Sequence, residues 1–224
     1  MESVQKKKVI GNDGFVEIME TFGSDLTVVN AARVSFDKES NEFVDKDAGL
    51  INYLAKHDHT SPFFHPQIRF RIRMPIFVAR EWFRHTVGFA RNEISRRYVD
   101  AAPTIWIPEQ LRERNPSLKQ GSKDTPIENH DDILELYTNS VSLSLNTYNA
   151  MLAANVAPEI ARAVLPQSMY TEFIETGSLA AYARLCGLRL DPTAQKEIRD
   201  FAGAVCEMVA PAFPYSWAAI SKNF

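Results

Sequence analysis

The apolar run Pro75 to Phe83 leads into a stretch, Arg84-His85-Thr86-Val87-Gly88-Phe89-Ala90-Arg91-Asn92-Glu93-Ile94-Ser95-Arg96-Arg97-Tyr98, that holds four arginines, a histidine, a glutamate and a serine. A guanidinium keeps its charge in a pocket and presents a planar fork of donors, so several on one segment can hold a phosphate and the polar edge of a base. A glutamate among them can accept from a ribose hydroxyl or a ring N–H. The same composition also suits a solvated basic loop after a helix, and the two readings are separated by the surrounding sequence.

Arg84-His85-Thr86, eight further residues and then Ser95, with Asn92-Glu93-Ile94-Ser95-Arg96-Arg97-Tyr98 closing the stretch, resemble the signature of flavin-dependent thymidylate synthases. Other blocks are similar to that family in the same order: Ala31-Ala32-Arg33-Val34-Ser35-Phe36, His59-Thr60-Ser61-Pro62-Phe63, Ile160 to Pro166, and Gly187-Leu188-Arg189 with Ala194-Gln195. The resemblance implies an α/β (α+β) fold, a single domain over residues 1–224 with a mixed, largely antiparallel sheet flanked by helices. It also implies a homotetramer whose active sites lie between chains. The implied reaction is conversion of dUMP to dTMP with methylenetetrahydrofolate as one-carbon donor, FAD as hydride carrier and NADPH as reductant.

Carried over residue by residue, the likeness assigns the catalytic role to Arg189, which also contacts dUMP. Glu81, Trp82, Phe83 and Arg84 of one chain and Glu93, Ile94, Ser95, Arg96 and Arg97 of another embrace dUMP, and Arg162 adds a contact. The FAD set is Ser35, His59, Ser61, Arg84, His85, Thr86, Glu93, Ser178, Leu179, Ala180 and Arg184. Thr86 stands where the signature often has a third arginine, and Ser178-Leu179-Ala180 where many members show Asn-x-Arg. Arg184 or Arg91 is therefore expected to supply charge to the FAD pyrophosphate.

Ser95 reads as a hydrogen-bonding group rather than a nucleophile, because a serine hydroxyl needs a base beside it to attack. Cys186 and Cys206 form no close pair and sit in helix-like segments. They read as small buried hydrophobes, so uracil methylation here is expected to proceed without a cysteine. His57, His59 and His65 lack a cysteine or carboxylate partner pattern, and no metal is expected.

These residues must be held by a core, and 224 residues, 45% of them hydrophobic, are enough for one without a second domain. The net charge of −3 argues against a protein that coats nucleic acid. Lys6-Lys7-Lys8 reads as a solvated terminus with no apolar signal core behind it, and no run is long enough for a membrane span, which makes the expected location cytoplasmic.

Gly14 to Phe22 is expected as a strand, Ser24-Asp25 caps a helix toward Arg33, and a second helix runs from Asp47 to Lys56. Gln67 to Met74 alternates Ile68, Phe70 and Ile72 with Arg69, Arg71 and Arg73, a strand with one solvated face. Pro75 opens a helix that presents Glu81, Arg84 and His85 on one face. Residues 100–129 read as a long loop with little regular structure, and Asp131 to Ala154 as a long helix whose apolar stripe serves the core or a subunit interface. A short helix from Pro158 carries Arg162, Ser168 to Thr176 is a strand, and a helix from Ser178 ends near Gly187 with Arg189 just beyond. Asp191-Pro192 caps a last helix ending before Pro211.

Two rival functions share these residues: a sister flavoenzyme that alkylates or hydroxymethylates another pyrimidine nucleotide, and a non-catalytic nucleotide- or RNA-binding module that stacks bases on Phe83, Phe89 and Tyr98.

Overall fold

The computed structural model describes residues 6–98, 102–117 and 121–222. A five-stranded sheet is built from β1 (Lys7–Ile10), β2 (Gly14–Phe22), β3 (Gln67–Pro75), β4 (Phe89–Glu93) and β7 (Tyr170–Ser178) in the spatial order β1-β2-β3-β7-β4. Every neighbouring pair in it is antiparallel.

The alternation in β3 is realised as two faces. Ile68, Phe70 and Ile72 are fully buried, while Arg69 and Arg71 face water and pair with Glu20 and Glu172. The β3–β7 register sets Ile72 opposite Phe173, Phe70 opposite Glu175 and Ile68 opposite Gly177, so a carboxylate sits on the core face of β7. The helices α1 (Asp25–Arg33), α2 (Asp45–Lys56), α3 (Ile76–Trp82), α6 (Leu179–Arg189), α7 (Lys196–Val209) and α8 (Pro214–Ile220) supply the rest of the core through Val28, Val29, Ile51, Leu185, Phe201 and Trp217 among others. Helix α4 (His130–Ala153) lies apart with the short α5 (Pro158–Ala161) and buries only Val141 and Tyr148. Leu136 and Leu143 of its stripe are exposed in the single chain.

Several expectations need correction. Lys7 and Lys8 belong to β1, where Lys7 lies over the Phe15 ring and Lys8 bridges to Glu207. The 100–129 segment contains a two-stranded hairpin, β5 (Arg112–Arg114) with β6 (Ser122–Pro126). Its strands carry polar residues with no apolar alternation, and cross-strand pairs such as Lys123–Glu113 at 2.6 Å replace a buried face. Helix α3 stops at Trp82, so Arg84 and His85 follow in a tight turn instead of sharing a helical face with Glu81. Pro75 ends β3 and precedes the first residue of α3, one position ahead of where it was expected to sit. Helix α6 continues through Gly187 to Arg189, because burial of Leu185 and Cys186 outweighs the roughly 1 kcal/mol that an interior glycine forfeits. The Asp191 carboxylate accepts from the backbone N–H and hydroxyl of Thr193, and α7 starts later, at Lys196. The final strand, Tyr170–Ser178, begins and ends two residues later than the expected Ser168 to Thr176, and α8 was not foreseen.

Candidate functional site

The turn after α3 is held close to α6 by Gly88. Its φ is +82°, and a Cβ there would stand 2.9 Å from the Ala181 Cβ and 3.0 Å from the Ser178 hydroxyl. Only glycine fits that backbone and that gap. The turn therefore lies against the first turn of α6, and Arg184, one turn on, donates to the Val87 carbonyl at 2.6 Å.

Three residues expected in the site meet at the far end of α6. Arg189 donates from Nε to His85 Nε2 at 2.9 Å, its Nη1 lies 3.5 Å from the Glu81 carboxylate, and its Nη2 lies 3.4 Å from the Glu81 carbonyl. An arginine N–H can only donate, so His85 Nε2 carries a lone pair and the ring proton sits on Nδ1. His85 is buried, and burial together with Arg189, Arg91, Arg184 and Arg84 around it lowers its pKa from 6.5 to about 4. The imidazole is neutral at physiological pH and serves as a fixed acceptor.

Glu81, Arg84 and Arg189 line a cleft of about 490 Å³, together with Arg112, Gln195, Lys196 and Arg199. A second cavity of about 550 Å³ is lined by Thr60, Phe63, Phe64, Ala180, Arg184 and Leu188 among others. Helix α6 thus carries Arg184 to one space and Arg189 to the other, with His85 within electrostatic reach of both.

Beneath the turn, β4 faces β7 in a register that puts Arg91 directly opposite Glu175. The two form a buried ion pair, and the Trp82 indole N–H lies 3.2 Å from both carboxylate oxygens. Desolvation pushes the Glu175 pKa up and the Arg91 guanidinium holds it down. Arg91 is committed to this pair and stacks near Phe89, which removes it from the account as a free phosphate ligand.

The remaining expected residues are distributed as follows. Trp82 is fully buried, and Phe83 meets Phe173 edge to face. Ser178 and Leu179 are buried, the Ser178 hydroxyl capping α6 through the Ala181 N–H at 3.2 Å, so only Ala180 and Arg184 of that group reach a cavity. Thr86 is exposed in the turn, and Ser35 is exposed in the 3-10 turn Val34–Phe36. Ser61 opens another 3-10 turn, and His59 lies edge-on to Tyr53, which also meets His57. The Glu93 carboxylate accepts from the Thr171 hydroxyl at 2.5 Å, and the Ile94 N–H donates to the Glu172 carbonyl. Ser95 accepts from the Arg97 N–H at 3.3 Å, beside Arg96, while Arg97 pairs with Glu159 at 3.6 Å and Arg162 is exposed on the turn that follows α5. None of Glu93 to Arg97 and Arg162 lines the Arg189 cleft of the same chain.

Arg112 and Arg199 were missed from sequence. Arg112 comes from the hairpin and pairs with Glu197 of α7 at 2.7 Å. Arg199 could have been found one turn after Gln195, on the same side of a helix starting there. Cys186 is buried and its thiol pKa is raised by desolvation, and Cys206 is likewise raised while its sulfur accepts the Trp217 indole N–H. Neither has the electropositive, open setting that makes a thiolate.

Residues 17–215 match the family model described as thymidylate synthase complementing protein. The chain is 40% identical over 210 residues to a flavin-dependent thymidylate synthase of Thermus thermophilus, covering 94% of this chain and 76% of the relative. It is 37% identical over 209 residues to the corresponding protein of Thermotoga neapolitana, covering 93% of this chain and 91% of the relative. Among solved structures it is similar to the UMP/dUMP methylase PolB from Streptomyces cacaoi bound with 5-Br dUMP, with a TM-score of 0.83 and 31% identity over 93% of this chain and 95% of that one.

Proposed function

Because the chain belongs to the flavin-dependent thymidylate synthase family, we propose that it converts dUMP to dTMP, taking the one-carbon unit from methylenetetrahydrofolate with FAD as hydride carrier and NADPH as reductant. The observation that carries this reading is Arg189, a guanidinium fixed by His85 and Glu81 at the wall of a cationic cleft.

The donor set fits a flavin nucleotide. Arg184 is an exposed cation beside the apolar surface of Phe63, Phe64 and Leu188, and neutral His85 supplies a polar edge between the two spaces. In this reading Arg184, Ala180, His85, Thr86, Ser35, His59 and Ser61 hold FAD, which when bound supplies the hydride that reduces the transferred carbon unit. Arg189 holds the uracil ring and stabilises the negative charge left when N3 loses its proton, and that charge makes C5 electron-rich enough to attack the one-carbon donor. Glu81 and Arg84 orient the nucleotide. No thiolate is needed in this scheme, in keeping with a buried Cys186 and a half-buried Cys206 whose thiols both have raised pKa values.

The separation of Glu93 to Arg97 and Arg162 from the Arg189 cleft supports a homotetramer in which one chain's cluster completes another chain's site. Among the described residues no helix is long and apolar enough to cross a membrane, in keeping with a cytoplasmic enzyme.

The test is tritium release from C5-labelled dUMP with FAD, NADPH and methylenetetrahydrofolate, each omitted in turn. Release that needs all of them is expected; release without the folate or the flavin would sink the scheme. A second reading has one supporting observation: PolB is described as a UMP/dUMP methylase and has also been solved with 5-Br UMP. Offering UMP and dUMP together and identifying the product distinguishes a thymidylate synthase from a methylase of both nucleotides.

A further inference from the structure

Strand β4 leads into the segment Glu93 to Arg97, and its own apolar pattern fixes its register at one end only. Phe89 seats its ring on Gly177, where a Cβ would come within 2.5 Å of it, and meets Tyr182 edge to face at 5.0 Å. Beyond it Ala90, Asn92 and Glu93 are exposed, and the next inward position is taken by Arg91, opposite a fully buried Glu175. A strand without alternating apolar residues is prone to slip. Here a slip of one residue would present Ala90 or Asn92 to Glu175, and a slip of two would present Phe89 or Glu93. Each leaves the buried carboxylate without its cation, which costs more than keeping the pair. The carboxylate cannot follow the strand, because the Trp82 indole N–H at the end of α3 lies 3.2 Å from both of its oxygens.

A buried ion pair is often no better a stabiliser than apolar residues of similar volume, so stability alone does not account for this one. We propose that the Arg91–Glu175 pair is a register lock, and that Arg91 and Glu175 are positioning residues for Glu93 to Arg97. This rests on the proposed function for what those residues bind and for the neighbouring chain whose site they complete. A slip of two residues displaces them by about 7 Å, enough to withdraw every contact they make. Glu93 itself accepts from the Thr171 hydroxyl at 2.5 Å in the register that the pair selects.

The lock is tested on the full chain with the double variant Glu175→Leu, Arg91→Met, against Arg91→Lys, which keeps a cation opposite Glu175. The first measurement is amide hydrogen exchange in residues 89–93 without nucleotide, read relative to that in β3. It is expected to speed up by about tenfold or more in the double variant, although the urea midpoint stays near that of wild type, and to change little in Arg91→Lys. Equal exchange in the double variant and wild type overturns the proposal. The second measurement is dUMP affinity by calorimetry, expected to fall by about tenfold or more in the double variant and to stay within about threefold in Arg91→Lys. Affinity that recovers together with the urea midpoint makes the pair a structural one and overturns the positioning role. Where the double variant fails to fold, Glu175→Gln, which keeps an acceptor for the Trp82 N–H and removes the charge opposite Arg91, is read in the same way. A wild type that binds no dUMP refutes the proposed function and not the lock, and the exchange measurement then decides alone.

Discussion

Arg189 Nε lies 2.9 Å from His85 Nε2, so the guanidinium assigned to catalysis is aimed by an imidazole nitrogen that can only accept. The bond joins the last turn of α6 to the turn after α3 across 104 residues of sequence. It holds one Arg189 face while Glu81 holds another, leaving the remaining donors to the cleft.

The His85 imidazole titrates near pH 4 when folded and near 6.5 when unfolded. Between those values the unfolded chain binds a proton that the native chain refuses, so stability rises with pH across the window. It is lost as pH falls from 6.5 toward 4, changes no further below that, and is fully present above 6.5. Urea denaturation of wild type and His85→Gln across the window is expected to show this slope in the wild type and a shallower one in the variant.

Arg189→Lys keeps the charge and loses the fork. An ammonium cannot reproduce the Nε bond to His85 together with both contacts to Glu81. Single-turnover rates are expected to drop by about a hundredfold or more while dUMP affinity falls far less. Equal losses in rate and affinity would instead make Arg189 a binding residue.

Glu175→Ala strands the Arg91 guanidinium and the Trp82 indole N–H in the core. Breaking a buried pair from one side costs about 3–5 kcal/mol, read as a lower urea midpoint with an unchanged slope. The double variant Glu175→Leu, Arg91→Met is expected to recover much of that loss, since it removes both charges.

Arg112→Ala unclasps the β5–β6 hairpin from α7 and leaves Glu197 with Gln195 alone. A bond to a charged group is worth about 1–3 kcal/mol here, and hydrogen exchange in the described part of residues 112–126 is expected to speed up accordingly. Because Arg112 also lines the Arg189 cleft, KM for dUMP should rise.

Cys206→Ala and Cys186→Ala are expected to leave kcat unchanged. The second loses roughly 1 kcal/mol of stability from its buried position. Loss of turnover in either, with FAD affinity intact, would restore a thiolate to the mechanism.

The elements that bury apolar faces were readable in the sequence. The alternation in Gln67 to Met74 and the spacing in Asp25 to Arg33 and Asp47 to Lys56 gave β3, α1 and α2 because the pattern and the packing demand the same thing. The β5–β6 hairpin was not legible, since it pairs polar backbones without a buried face. Arg189 at the end of α6 was misread at Gly187, a local stop signal that tertiary burial overrides. In the site, family resemblance grouped Glu81, Arg84, His85 and Arg189, and their convergence at one cleft depends on how α3 and α6 pack, which no spacing along the chain encodes. Arg91 illustrates the limit best. Its charge suggested a phosphate, whereas its register opposite Glu175 commits it to the core.

That register also sets an order of events during synthesis. Strand β4 sits at the sheet edge and, among the described residues, pairs only with β7, so Arg91 must wait for Glu175, 84 residues further along. At about 5–20 residues per second, a nascent chain spends roughly 4–17 s with this arginine-bearing stretch made and its strand partner not yet out of the ribosome. Over that interval the segment's positive charge disfavours edge-to-edge association with other chains, so the charge that the proposed function gives to the nucleotide also guards an unpaired strand.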